Sequence, residues 1–314
     1  MRRILIVTVL ALACGGSPAA LAADPVAYVT ELHGQRGGVR VQSAGAGDAP
    51  PAQPLMPLHA GDRIRVTGDG RAVVLFHAGT VQVVTLDNSP YTVTPPPGPA
   101  ASERLQAAMH SIAHALLGRP EPPTTRRLSV RGSDEPPGGA PVILAPRHSR
   151  VMPGGVVFEW RDDHAGSHEI RVSGSDGAVV WQRAGIARSP VAYPDTGRRL
   201  AEATRYVWEL STPGRPTQAA QFEIVSSAEA ARIQAELAEL GRGLRGTSLV
   251  VARAAYLFDQ GLFGDARREL EAATRSDPRE PGGWLLLGRV YDQVGLGPQA
   301  DDAYERVRSL LAER

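Results

Sequence analysis

Residues able to do chemistry are few and scattered in this chain of 314 residues. His110 and His114 stand one helical turn apart, a spacing that lets two imidazoles share a zinc ion. Their stretch reads His-Ser-Ile-Ala-His, without the glutamate that serves as general base in zinc peptidases. No cysteine or acidic cluster nearby completes a ligand set, so the pair is read as solvated or half-buried, and no metal or cofactor is expected. Asp162-Asp163-His164 could set a carboxylate beside an imidazole, but its residues are those of a hairpin turn. Gly68-Asp69-Gly70 lacks the third glycine, the following helix and the Lys-Ser/Thr of a phosphate loop, and is read as a tight turn. Neither a Gly-x-Ser-x-Gly elbow nor a catalytic cysteine is present. The residues point away from an enzyme.

The chain's first residues suggest export. Arg2 and Arg3 precede an apolar run over residues 4–13, and small residues follow, ending Ala20-Leu21-Ala22-Ala23-Asp24. That run is too short for the roughly 20 residues of a membrane span, and it has the shape of a signal peptide over residues 1–23, cut after Ala22 or Ala23. Cys14, the single cysteine, leaves an alternative: Ala11-Leu12-Ala13-Cys14 loosely matches a lipoprotein box, with Ala where Leu is preferred. Basic and acidic residues nearly cancel, 34 against 33, so no global field would draw in nucleic acid. Every basic side chain is an arginine.

These residues must be positioned by several modules. Residues 24–94 alternate short apolar runs with Gly, Asp and Pro. Ile64 and Val66 alternate with Arg63 and Arg65, residues 72–76 are apolar throughout, and Val81 and Val83 flank Gln82. Two successive hairpins are expected, turning at Gly68-Asp69-Gly70 and Ala78-Gly79-Thr80. Residues 95–140 hold proline clusters around one helix, with Leu105, Met109, Ile112 and Leu116 on one face. Arg126, Arg127 and Arg131 follow, in what is read as a solvated linker. Residues 141–225 return to strand alternation and predict a β-sandwich anchored by Trp160 and Trp208. An exposed Trp181 would offer a carbohydrate a stacking surface; core packing is the simpler expectation.

From Ser226 the pattern is helical. Ser226-x-x-Glu229 forms a capping box, with Ile233, Leu237 and Leu240 on one face. A period of 34 residues follows: Ala254 recurs as Gly288, Leu257 as Tyr291, Gly261 as Gly295, Ala266 as Ala300 and Leu270 as Tyr304. The second copy carries Trp284, Leu287 and Gly288; the first has Val250 and Arg253 where the tryptophan and leucine belong.

Three resemblances accompany these patterns. Gly34, Val39-Arg40-Val41, Pro57-Leu58, Gly61-Asp62, Ile64, Thr67-Gly68, Gly70-Arg71-Ala72, Phe76, Gly79-Thr80 and Asn88-Ser89 resemble the FecR-like domain of bacterial iron-dicitrate sensors. The sensors of that family carry a cytoplasmic segment ahead of a membrane helix, whereas a signal peptide is expected in that place here. Pro141, Ile143-Leu144, Pro146, Leu200, Tyr206 and Trp208 resemble fibronectin type III or immunoglobulin-like modules. The periodic segment, residues 247–314, resembles two tetratricopeptide repeats. That family's concave face binds partners, which implies Phe258, Asp259, Arg289, Asp292 and Gln293 as contact residues. The resulting expectation is a multidomain β + α protein: a FecR-like β domain, a β-sandwich and a C-terminal α-helical repeat segment. Its expected role is non-enzymatic, as a periplasmic scaffold in a Gram-negative envelope that binds envelope proteins or cell-wall glycan. The alternative is an accessory of FecR-type signalling, facing an outer-membrane receptor or a separate regulator.

Overall fold

The computed structural model describes residues 24–35, 37–96, 101–118, 139–164, 166–194 and 199–313. The expected signal peptide with Cys14, and Arg126, Arg127 and Arg131, lie outside the described residues. The architecture is multidomain β plus α-helical repeats.

The N-terminal β domain comprises β1 (Ala27–His33), β2 (Val39–Gln42), β3 (Pro57–Leu58), β4 (Arg63–Val66), β5 (Arg71–Phe76), β6 (Val81–Val84) and β7 (Tyr91–Thr92). They form two antiparallel sheets, ordered β3-β1-β5-β6 and β2-β4-β7. Ile64 and Val66 are buried while Arg63 and Arg65 are exposed, as the alternation implies. Only the second expected hairpin forms, β5 with β6. The first does not, because β4 pairs with β2 and β7 whereas β5 pairs with β1. Gly68-Asp69-Gly70 instead carries the chain between sheets, where a Cβ on Gly70 would lie 2.6 Å from Gly38 O. The buried Asp62 carboxylate closes another turn, accepting from His59 N (2.8 Å) and Ala44 N (3.0 Å).

The apolar run of β5 has a two-sided cause. Ala72, Val74 and Phe76 face the β-domain core with Ile64 and Val66, while Leu75 joins Tyr28 and Leu55 in a core shared with the helices. A strand covered on both faces loses its alternation.

The sandwich comprises β8 (Val142–Ala145), β9 (Ser149–Val151), β10 (Val157–Arg161), β11 (His168–Gly174), β12 (Val179–Ile186), β13 (Val191–Ala192), β14 (Thr204–Ser211) and β15 (Gln218–Ile224). Its sheets are ordered β13-β10-β8 and β12-β11-β14-β15-β9, with β9 and β15 parallel. Trp208 is fully buried, and its indole donates to Pro146 O at 2.7 Å. Trp181 stacks on Phe158 with centroids 5.6 Å apart and lies 5.4 Å from the Tyr193 ring. One face of this half-buried ring is therefore covered by the core.

The helices are α1 (Glu103–Leu117), α2 (Ser227–Gly243), α3 (Gly246–Asp259), α4 (Phe263–Ser276), α5 (Pro281–Gln293) and α6 (Gly297–Glu313). Ser102 caps α1 and Ser226 caps α2, each side chain accepting from the amide three residues on. In the second helix pair, a Cβ on Gly288 would meet the Tyr304 ring at 2.5 Å, so the small residue lets a large one cross. Helix α1 is no isolated linker helix. Its Ala108, Met109, Ile112, Ala115 and Leu116 sit in one core with α2 to α5.

Candidate functional site

Helices α3 and α5 contribute the face expected to meet partners, and α1 covers part of it. Asp259 Oδ1 lies 2.5 Å from Nδ1 of His114 on α1. Arg289 Nη1 donates to Leu116 O at 2.9 Å and to Ala115 O at 3.4 Å, satisfying carbonyls that a helix C-terminus leaves open. Burial pushes the Arg289 guanidinium below its usual value, and the negative end of α1 offsets part of that cost. Phe258 packs on Phe263, with ring centroids 5.3 Å apart. Asp292 is exposed and accepts from the Tyr304 hydroxyl at 2.6 Å, and Gln293 is half-buried beside it.

Part of the face expected to meet partners is thus taken up by α1. Burying Met109, Ile112 and Leu116 stabilises the docked α1 by roughly 1.5–3 kcal/mol each. Of the five residues, two hold α1, one is packed, and Asp292 and Gln293 stay near the surface. His114 takes a carboxylate partner while His110 is exposed, and no group of three or more metal-capable side chains occurs among the described residues.

The chain also concentrates polar chemistry at two junctions that no local pattern announces. At the first, Ser248 at the start of α3 donates from N (3.2 Å) and Oγ (3.1 Å) to Glu31 Oε1, and its Oγ lies 2.9 Å from Thr30 Oγ1. Leu32 N donates to Glu280 Oε2 at 3.2 Å. His33 Nε2 lies 3.4 Å from Glu31 Oε2 and 3.7 Å from Glu280 Oε2. The hydrogen bond with Glu31 raises the His33 pKa against opposing burial, with help from the Glu280 charge. Burial pushes Glu31 up, yet its bonds with His33 and Ser248 outweigh that and hold it below its ordinary value.

At the second junction, the sandwich engages the same turn of both helix pairs. Arg150 N donates to Gly261 O at 2.8 Å and its Nη1 to Gln260 O at 3.1 Å. Arg147 Nε donates to Val294 O at 2.6 Å and its Nη2 to Gly295 O at 3.2 Å. Gly261 and Gly295 are repeat equivalents, each with φ +73°, a left-handed conformation that glycine adopts at helix ends. Two arginines, one in the β8–β9 connection and one in β9, thus hold the carbonyl ends of α3 and α5. Glu159 adds ion pairs to Arg267 and to Arg268 (3.0 Å), and Arg267 also binds Glu271 at 2.7 Å.

A hydroxyl–imidazole–carboxylate line exists inside the sandwich and lacks the features of a nucleophile. Thr212 Oγ1 lies 2.9 Å from His168 Nδ1, but His168 Nε2 is 3.6 Å from Asp162, beyond hydrogen-bond reach. Thr212 and His168 are 5% and 4% exposed, so a substrate carbonyl has no approach. Asp162 instead receives Arg215 Nη1 at 2.8 Å and ties the sandwich to Gly139, whose carbonyl the same guanidinium binds.

Among the described residues, no helix is long and apolar enough to cross a membrane. No family model matches the sequence, and no curated protein matches it significantly. A solved structure, a multi-domain immunophilin from Arabidopsis thaliana, is similar at 8% identity over 54% of this chain and 93% of that one, with a TM-score of 0.20. A likeness that small carries no argument about this chain.

Proposed function

We propose that this protein is a non-enzymatic scaffold of the cell envelope, contacting envelope proteins or cell-wall glycan. The observation that carries the reading is the double docking on the helices. One β module joins through Thr30, Glu31 and Leu32, the other through Arg147 and Arg150. Outward surfaces of all three parts are thereby held in one fixed relation, which suits a protein that positions others. The export signature of residues 1–23 and the likeness of residues 34–89 to FecR-like domains support the envelope setting. The likeness of residues 247–314 to tetratricopeptide repeats supports binding of protein partners. With Asp259 and Arg289 engaged by α1, the end of α5 at Asp292 and Gln293 is the part of the repeat face available to a partner.

The test uses the full chain expressed with its N-terminus in a Gram-negative host. Its mature form is expected in the periplasm, beginning at Ala23 or Asp24. A photo-crosslinker at Gln293, or at exposed Arg65 in a second preparation, should give discrete adducts that excess unlabelled protein suppresses. A cytoplasmic chain, or no suppressible adduct at either position, would rule the proposal out.

A further inference from the structure

The exposed faces of the two β modules handle charge in opposite ways. On the sandwich, strand register sets Arg171 of β11 opposite Glu209 of β14. It also sets Arg205 of β14 opposite Glu223 of β15, where Nε and Oε2 lie 3.0 Å apart. Opposite charges facing each other across a strand pair stabilise a sheet.

In the N-terminal β domain, the outer face of β2 and β4 does the reverse. Arg40 on β2 stands directly opposite Arg65 on β4, and Gln42 stands opposite Arg63. The three arginines are exposed, while Val39, Val41, Ile64 and Val66 alternate with them and are buried. Directly opposed side chains sit about 5 Å apart at Cβ, and like charges placed so destabilise a sheet. Arg63 and Arg65 lie about 7 Å apart along their strand. Among the described residues, none of the three forms an ion pair. Arg40 Nε donates to Ala49 O at 2.6 Å, and Arg65 Nη2 reaches only Gln42 Oε1 at 3.5 Å. Nearby acidic residues do not compensate them. Asp62 is buried and turned to His59 N and Ala44 N, and Asp48 is exposed and makes no ion pair.

Three uncompensated guanidiniums on one flat face call for an anion. A lone carboxylate would neutralise only one of the opposed pair, whereas a phosphate accepts forked N–H bonds from both. The exposed large apolar side chains of the described residues all lie elsewhere, so this face lacks the apolar centre on which protein partners anchor. We infer that the outer face of β2 and β4 rests on a membrane surface, with Arg40, Arg63 and Arg65 binding the phosphates of anionic lipid head groups. The chain's net charge of +1 adds little attraction of its own, so such binding depends on this patch. The assignment is independent of the scaffold role.

Cosedimentation of the mature full chain with lipid vesicles tests it. Binding is expected to vesicles of equal parts phosphatidylglycerol and phosphatidylcholine, with none to phosphatidylcholine alone, and it should weaken as salt screens the charges. At about fivefold for each arginine near an anionic surface, Arg40→Gln, Arg63→Gln and Arg65→Gln together should weaken it roughly a hundredfold. The thermal midpoint of that triple variant should stay level or rise, because an opposed like-charge pair is relieved. Arg205→Gln removes the same charge from the sandwich and should bind as the native chain does. If the triple variant does not fold, Arg63→Gln with Arg65→Gln, expected to weaken binding roughly twenty-five-fold, takes its place. The assignment falls if the native chain does not bind, if the arginine variants bind as well as it does, or if Arg205→Gln loses as much. Polyglutamate held as tightly as the vesicles would also overturn it, in favour of an acidic protein partner.

Discussion

His33 is the residue whose environment makes the clearest pH statement. Its raised pKa means that the folded chain holds the proton more tightly than the unfolded one. The stabilisation is fully present below the ordinary value of 6.5 and is lost as pH rises through the higher folded value. Glu31 acts in the other direction, contributing above its ordinary value of 4.5 and losing its contribution as pH falls through the depressed one. The Arg71 charge works against protonation of His33 from the same sheet. His77, His148 and His168 are all pushed down by burial, which favours folding as pH rises over the same range. The raw stability profile therefore mixes signs, and the comparison that isolates this junction is wild type against His33→Gln. The wild-type advantage in thermal midpoint should be largest between pH 4.5 and 6.5 and shrink above it. An advantage constant from acid to alkaline pH would mean that His33 does not couple to the two carboxylates.

At the scale of elements, the consequential helix is α1, and Arg289 is the polar anchor of its last turn. Arg289→Ala should cost about 1–2 kcal/mol, because it leaves the Ala115 and Leu116 carbonyls without their donor. Asp292→Ala, at an exposed position, should stay within about 0.5 kcal/mol, so chemical denaturation separates the neighbours. Gly288→Ala should cost roughly 1–3 kcal/mol by pressing on the Tyr304 ring. Much of this level was legible in the sequence. The stripe Leu105, Met109, Ile112 and Leu116 announced α1, Ser226 announced the start of α2 though Glu229 turns to Arg150 and leaves the capping box half-made, and the period of 34 residues announced the two helix pairs. What local periodicity leaves open is the partner of each face. The stripe on α1 could bury itself anywhere, and only the fold brings Arg289 to its last turn. Gly68-Asp69-Gly70 misled in the same way, since a turn motif fixes a change of direction but not which sheet receives the next strand. Arg147 and Arg150 carried no signal, because the carbonyls they meet are backbone groups more than a hundred residues away.

At the scale of the whole molecule, modules on a string and one docked body predict different fates for a cleaved chain. Tyr28, Leu55 and Leu75 of the β domain lie in the helical core, each 0–4% exposed, together with Met109 and Ile112 of α1. At roughly 1.5–3 kcal/mol for each large side chain, these contacts exceed what weakly associating domains of one chain usually share. The polar bonds of Glu31 and Glu280 add direction to that burial. A protease site inserted between Arg126 and Arg127 would sever the β domain and α1 from the sandwich and repeats. After complete cleavage, the two fragments should still co-elute in native size exclusion at the volume of the intact chain. They should separate only in denaturant. Ile112→Asp should allow separation under native conditions, because an ionised carboxylate in that core is strongly disfavoured. Fragments of the native sequence that part at once without denaturant would restore the string of independent modules. The fixed geometry on which the scaffold role rests would then be lost.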